Sequence, residues 1–212
     1  LTVLSWMAGQ TQNIMLGTGV LILPYRPRLP LAKAIASLQE LSSGRFILGV
    51  GVGWMDSEFR VLGVPRNKRG KIFEETLSFI NDCFEKDVMS SNGQDFIFEP
   101  KPKKPSILVG GMSAAAFERV VKVGAGWFPI GRLSEMKDRI QLFRDLTEKK
   151  YGRPSEVVTY CSFAEQSESD FFDELNSFRD AGISRVIINT KYETADDWSR
   201  VFEVFDKVLQ KF

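Results

Sequence analysis

The chain has 212 residues, 26% of them charged and 43% hydrophobic, which are the proportions of a folded domain with an ordinary core. A net charge of +1 leaves no basic footprint for nucleic acid or an anionic membrane, and no apolar run reaches the ~18–20 residues of a membrane span. Cys83 and Cys161 lie far apart in different kinds of segment. They have neither metal-ligand spacing nor the density of a disulfide framework, and this, with no secretory signal in the opening residues, leads us to expect a cytoplasmic chain.

Residues 1–10 read as the tail of a helix, with Leu1, Leu4 and Ala8 at helical spacing. Residues 13–20 (NIMLGTGV) read as a buried strand. Residues 30–41 carry Leu31, Ala34, Ile35, Leu38 and Leu41 on one helical face, stopped by Ser42-Ser43-Gly44. A strand over 45–52 (RFILGVGV) precedes helical residues at 56–62 and 68–84, where Ile72, Phe73, Leu77, Ile80 and Phe84 line one side. After Asn92-Gly93 comes an excursion at about 90–105. It comprises a small strand over 94–99 and a proline-rich stretch in which Lys101, Lys103 and Lys104 read as a solvated linker.

Alternation then resumes. A strand over 106–109 leads to a helix capped by Ser113 and running to residue 123. A strand over 126–130 leads to a helix capped by Ser134 and running to about residue 149. Residues 157–163 form a strand, and the helix bearing Phe171, Phe172, Leu175 and Phe178 ends at Ala181-Gly182. A strand over 185–189 precedes the last helix, capped by Thr194. Each of six strands is followed by a helix, which implies a parallel sheet covered by helices. Six strands suit an open doubly wound sheet or the last six of a barrel that needs about eight. A chain that opens inside a helix favours the barrel as one domain over 1–212, with two strands expected before Leu1.

Three strand ends are rich in glycine: residues 17–26 (GTGVLILPYR), 49–58 (GVGVGWMDSE) and 109–113 (VGGMS). Glycine there permits close backbone approach to a ligand or a bulge within packed strands. Gly49, Gly51 and Gly53 alternate, so they clear space on one face of a strand. Neither of the first two runs satisfies the dinucleotide fingerprint GxGxxG, which excludes that reading. In the third, Gly110 and Gly111 precede a helix start with Ser113 at the cap, a combination suited to an anion and equally common without one. The chain has no histidine, so Ser-His-Asp hydrolysis and HExxH zinc chemistry fail within it. No metal site is expected.

Taken in order, three stretches resemble the luciferase-like monooxygenase family of flavin- and F420-dependent oxidoreductases. They are LGTGVLILPYRPRLPLAKAIASLQELSSGRFILGVGVGWMDSEFRVLGVPRNKRG, LVGGMSAAAFERVVKVGAGWFP and AGISRVIINT. The resemblance implies an α/β fold, the TIM (β/α)8 barrel of the bacterial luciferase-like type, here without its first two strands. It implies a non-prolyl cis peptide at Gly19–Val20 backing the cofactor ring, a rim over 53–58 that includes Gly53 and a polar contact from Ser57, and a phosphate met by Gly110, Gly111 and Ser113. Arg69 matches an arginine frequent in the family, structural as readily as cofactor-contacting, and Ala125 departs from the family's aspartate.

The cofactor implied is F420 or FMN, the LPYR loop resembling the F420-using branch. The activity implied is hydride transfer, or O2 activation with FMN, on an unknown small organic substrate by a homodimer. The catalytic acid–base group is expected upstream of Leu1, and no residue of this chain is assigned to it. The alternative is a non-catalytic flavin-binding protein resembling the family's truncated non-fluorescent flavoprotein.

Overall fold

A computed structural model describes residues 1–123, 125–163 and 167–211, and its backbone contacts divide the chain into two compact units, Leu1–Gly110 and Gly111–Phe212.

The first unit is built on β3 (Phe46–Gly51), in which every residue is buried. Three parallel neighbours flank it: β1 (Leu16–Gly17), β2 (Leu21–Ile22) and β6 (Ser106–Gly110). The continuous strand expected over 13–20 is therefore broken, and the register shows why. Gly17 pairs with Ile47 and Leu21 with Val50, so four steps along one strand span three along its partner. The extra residue is a bulge. Within it Thr18 leaves the ladder and donates its hydroxyl to the Gly49 carbonyl at 2.7 Å. The Gly19–Val20 peptide is cis, as the resemblance implies.

Helices α1 (Thr2–Gln10), α2 (Arg28–Leu41), α3 (Asp56–Val61) and α4 (Arg69–Glu85) complete this unit's helical layer. The spacing read from α4 holds, with Phe73, Leu77, Ile80 and Phe84 buried together with Thr76, Phe79 and Cys83. Arg45 joins α1 to β3. Its guanidinium donates to the carbonyls of Ala8, Thr11, Ile14 and Ser42 and to the Thr11 hydroxyl, at 2.8–3.0 Å. The carbonyls at the end of a helix have no partner of their own, and this one side chain supplies it.

The excursion is a hairpin, β4 (Val88–Ser91) paired antiparallel with β5 (Gln94–Ile97). Only its second strand is expected from the sequence. Asn92 and Gly93 both take positive φ, 53° and 76°, the two-residue turn that matches strand twist. Lys101 and Lys104 in the stretch that follows are paired rather than simply solvated. Lys101 donates to the Lys86 carbonyl and the Asp87 carboxylate, and Lys104 pairs with Glu85. They place positive charge at the C-terminus of α4, where the helix dipole favours it.

The second unit contains α5 (Ala114–Val123), β7 (Gly126–Phe128), α6 (Leu133–Tyr151), β8 (Val158–Phe163), α7 (Glu168–Asp180), β9 (Arg185–Thr190) and α8 (Ala195–Leu209). Strands β8 and β9 pair in parallel from Val158↔Arg185 to Phe163↔Thr190, and Trp127 of β7 bridges Val157 in parallel. Ser113 caps α5 as expected, its hydroxyl accepting from the Ala116 amide at 3.2 Å. Thr194 caps α8 within a full capping box, and the backbone amides of Glu193 and Thr194, with the Thr194 hydroxyl, hold the Asp197 carboxyl below its ordinary range. Ser134 is not a cap. Leu133 is already helical, Arg132 takes the cap position, and no side chain closes that end.

Both cysteines are free and buried, at 0% and 2% exposure. Burial is the main force raising the Cys83 thiol to about 11 and the Cys161 thiol to about 12. Both thiols are thus neutral in the native state near neutral pH, and we expect them to be inert to Ellman's reagent until the chain unfolds. The unfolded chain releases these protons first as pH rises, so their contribution to stability is complete below about pH 9. It declines toward the folded values, and pH-dependent denaturant melts measure that decline.

Candidate functional site

In the first unit three glycines pack around the bulge that carries Gly19 and Val20. A Cβ added at Gly49 would lie 1.8 Å from the Thr18 carbonyl oxygen, and one at Gly51 would lie 2.7 Å from Val20 Cγ2. At Gly110 it would lie 3.2 Å from Val20 Cγ1. The face cleared by the alternating glycines is therefore occupied by the bulge itself. Gly49, Gly51 and Gly110 let the 18–20 segment sit against β3 and β6, and so fix where Gly19 and Val20 stand.

Gly53 has φ +80°, and a Cβ there would approach Ile22, Phe59 and the Tyr25 hydroxyl within about 3.0 Å. Tyr25 packs edge-on to the buried Phe59 with centroids 4.9 Å apart and donates to Glu58 at 2.9 Å. Desolvation, then the bond to Glu58 and its charge, raise the Tyr25 phenol. Ser57 is exposed in the first turn of α3 and lines an open cleft of about 340 Å³ with Tyr25, Glu58, Val61 and Leu62. Arg69 donates to the Arg66 carbonyl at 3.0 Å, a bond that closes the turn before α4.

In the second unit the loop into α5 is held from behind by two side chains the sequence reading did not single out. Gly111 has φ +128°, a conformation that side-chain-bearing residues rarely adopt, and a Cβ there would also meet Ala116 at 2.9 Å. The indole of Trp127 donates to the Gly111 carbonyl at 2.9 Å, and Arg139 of α6 donates to the Met112 carbonyl. Trp127 is fully buried, packed edge-on to Phe117 and against Phe143. The Arg139 guanidinium lies 5.2 Å from the Phe117 centroid and 5.6 Å from that of Trp127.

In a trans peptide the C=O and the following N–H point in opposite directions. Anchoring the Gly111 and Met112 carbonyls on Trp127 and Arg139 therefore turns the Met112 and Ser113 amides the other way. The first-turn amides of α5 follow them in the chain and have no partners within the helix, that of Ala116 being met by the Ser113 hydroxyl. Donors grouped this way at a helix start suit an anion. Met112 and Ser113 supply the amides here; the Gly111 amide donates to the Phe128 carbonyl at 3.3 Å, so Gly111 contributes the turn, and a Cβ at Gly110 would face Val20 of the bulge in the first unit.

The sequence matches the family model for luciferase-like monooxygenases over residues 1–170. The chain belongs to that family. Among its relatives, an uncharacterised protein of Mycobacterium tuberculosis is 27% identical over 197 residues, covering 88% of this chain and 67% of the relative. An FMNH2-dependent dimethylsulfone monooxygenase of Pseudomonas putida is 29% identical over 136 residues, 59% of this chain and 37% of its own length. The luciferase-like chain thus spans about two thirds of the mycobacterial relative and a smaller share of the sulfone monooxygenase.

Among solved structures, apo-MsnO8 superposes with a TM-score of 0.76 at 13% identity, covering 99% of this chain and 82% of the other. An F420-dependent secondary alcohol dehydrogenase in complex with an F420-acetone adduct gives 0.73 at 14% identity, covering 88% and 78%. The fold class is accordingly α/β of the luciferase-like barrel type. Among the described residues no helix is long and apolar enough to cross a membrane.

Proposed function

We propose that this luciferase-like chain belongs to an oxidoreductase that binds a phosphorylated flavin-type cofactor, FMN or F420, and acts on a small organic substrate. The observation that carries the reading is the anchoring of the Gly111 and Met112 carbonyls by Trp127 and Arg139, which in trans peptides turns the Met112 and Ser113 amides away from those anchors. Family membership supports it, as do relatives named for FMNH2 and F420. The Met112 and Ser113 amides would hold the phosphate, with Gly111 shaping the turn behind them, and Ser113 would keep its cap on Ala116 while doing so. In the first unit, Gly19 and Val20 would contact the cofactor ring, with Gly53 and Ser57 at its rim.

When bound in its reduced form either cofactor supplies a hydride, and FMN can also activate O2. The chain's own part is to fix the backbone around the ring and to neutralise the phosphate with oriented amides. Separate titrations with FMN and with F420, followed by absorbance, test the reading. Saturable binding of one of them is expected, and binding of neither would refute it. Binding without turnover of any reduced cofactor would favour the non-catalytic flavin-binding alternative.

A further inference from the structure

We infer that Arg139 is a positioning residue for phosphate recognition, acting through the Met112 carbonyl rather than on the ligand itself. The inference rests on the phosphate reading of residues 111–113 and deepens it.

Two carbonyls in succession are tethered to the second unit's own framework. The Gly111 carbonyl has the indole of Trp127, a donor fixed by a fully buried ring. The Met112 carbonyl has Arg139, a half-exposed side chain that reaches the loop from α6. The peptide plane between Met112 and Ser113 has one carbonyl and one amide, and fixing the first fixes the second. Arg139 therefore sets the direction of the Ser113 amide.

The guanidinium is itself located by its approach to Phe117 and Trp127, the planar contact that arginine makes well and lysine poorly. Phe117 belongs to α5, and its amide bonds the Ser113 carbonyl at 3.0 Å. The arginine thus bears on both the loop and the helix whose amides complete the donor set. Its positive charge lies on the carbonyl side of the loop, which favours an anion on the amide side without touching it.

A residue acting this way affects the phosphate and not the ring. FMN and riboflavin share the ring and differ by the phosphate, so each variant is titrated with both; if the wild type takes F420 alone, F420 and its phosphate-free deazaflavin form replace them, with the same expected ratio. In Arg139→Met, affinity for FMN is expected to fall by about 10–100-fold, the range typical of supports behind a binding group, while affinity for riboflavin stays within about twofold. Arg139→Lys keeps the charge but loses the fork, and should recover only part of the FMN affinity. Inorganic phosphate should compete with FMN on the wild type and compete less well on Arg139→Met.

Equal losses for FMN and riboflavin would overturn the inference, because they mark a general disturbance of the fold. Unchanged FMN affinity would overturn it as well. If Arg139→Met does not fold, Arg139→Lys decides by the same ratio of FMN to riboflavin affinity. A wild type that binds no phosphorylated cofactor refutes the proposed function itself. A wild type that binds FMN and riboflavin equally refutes the phosphate assignment at 111–113 while leaving ring binding intact.

Discussion

Gly49→Ala is expected to cost about 3 kcal/mol or more and to abolish ring binding. The added carbon would fall 1.8 Å from the Thr18 carbonyl oxygen, which is backbone and cannot rotate aside as a side chain can. Thr18 also donates its hydroxyl to the Gly49 carbonyl, so the methyl group pushes apart two strands that this bond draws together. The bulge must move, and Gly19 and Val20 move with it. Gly9→Ala is the control. Nothing lies within 4 Å of the added carbon in α1, and a helical Gly→Ala change is worth about 0.5–1 kcal/mol of stability. Denaturant melts should move in opposite directions for the two variants, and riboflavin binding should be lost in Gly49→Ala alone. A stable Gly49→Ala that binds riboflavin normally would show that the bulge does not place the ring contacts.

Arg45→Met is expected to destabilise the chain by about 3 kcal/mol, or about 6–12 °C in melting temperature, by removing five hydrogen bonds at once and leaving the Ala8, Thr11 and Ile14 carbonyls without this donor, while the Ser42 carbonyl keeps the Arg45 amide. Methionine keeps much of the apolar stem, so the loss isolates the hydrogen bonds from the packing. Arg45→Lys should restore little, because one ammonium has three donors and no fork with which to serve acceptors in two segments. A melting temperature unchanged in Arg45→Met would mean that water serves those carbonyls equally well. Arg45 sits immediately before β3, so the expected loss includes weaker seating of α1 against the strand that organises the first unit.

The elements that local chemistry specifies were legible in the sequence. The apolar stripe of α4, the Ser113 cap and the Thr194 cap each depend on residues within a few positions of one another, and each stands where expected. Asn92-Gly93 was an equally local signal, and it places a hairpin turn with a strand on both sides, of which only the second was read. Ser134 shows the opposite error. A good capping residue one step inside the true start looks identical in sequence to one at the start.

The site divides along the same line. Gly111 was legible as a glycine before a capped helix start, and its φ of +128° is the physical reason glycine stands there. The alternating Gly49, Gly51 and Gly53 were legible as cleared space, but sequence could not say that Thr18 and Val20, some thirty residues earlier, fill it. Trp127 and Arg139 were not legible as supports of the loop. Arg139 is 27 positions from the carbonyl it binds, and an arginine on an amphipathic helix looks like any solvated charge. Only the fold brings such residues behind the loop they hold.

The most direct measurement is a crystal structure of the protein with FMN or F420 bound. The phosphate oxygens are expected within hydrogen-bond distance of the Met112 and Ser113 amide nitrogens, with Arg139 still on the Met112 carbonyl. A cofactor bound with its phosphate in solvent, or on any group other than the 111–113 backbone, would contradict the assignment.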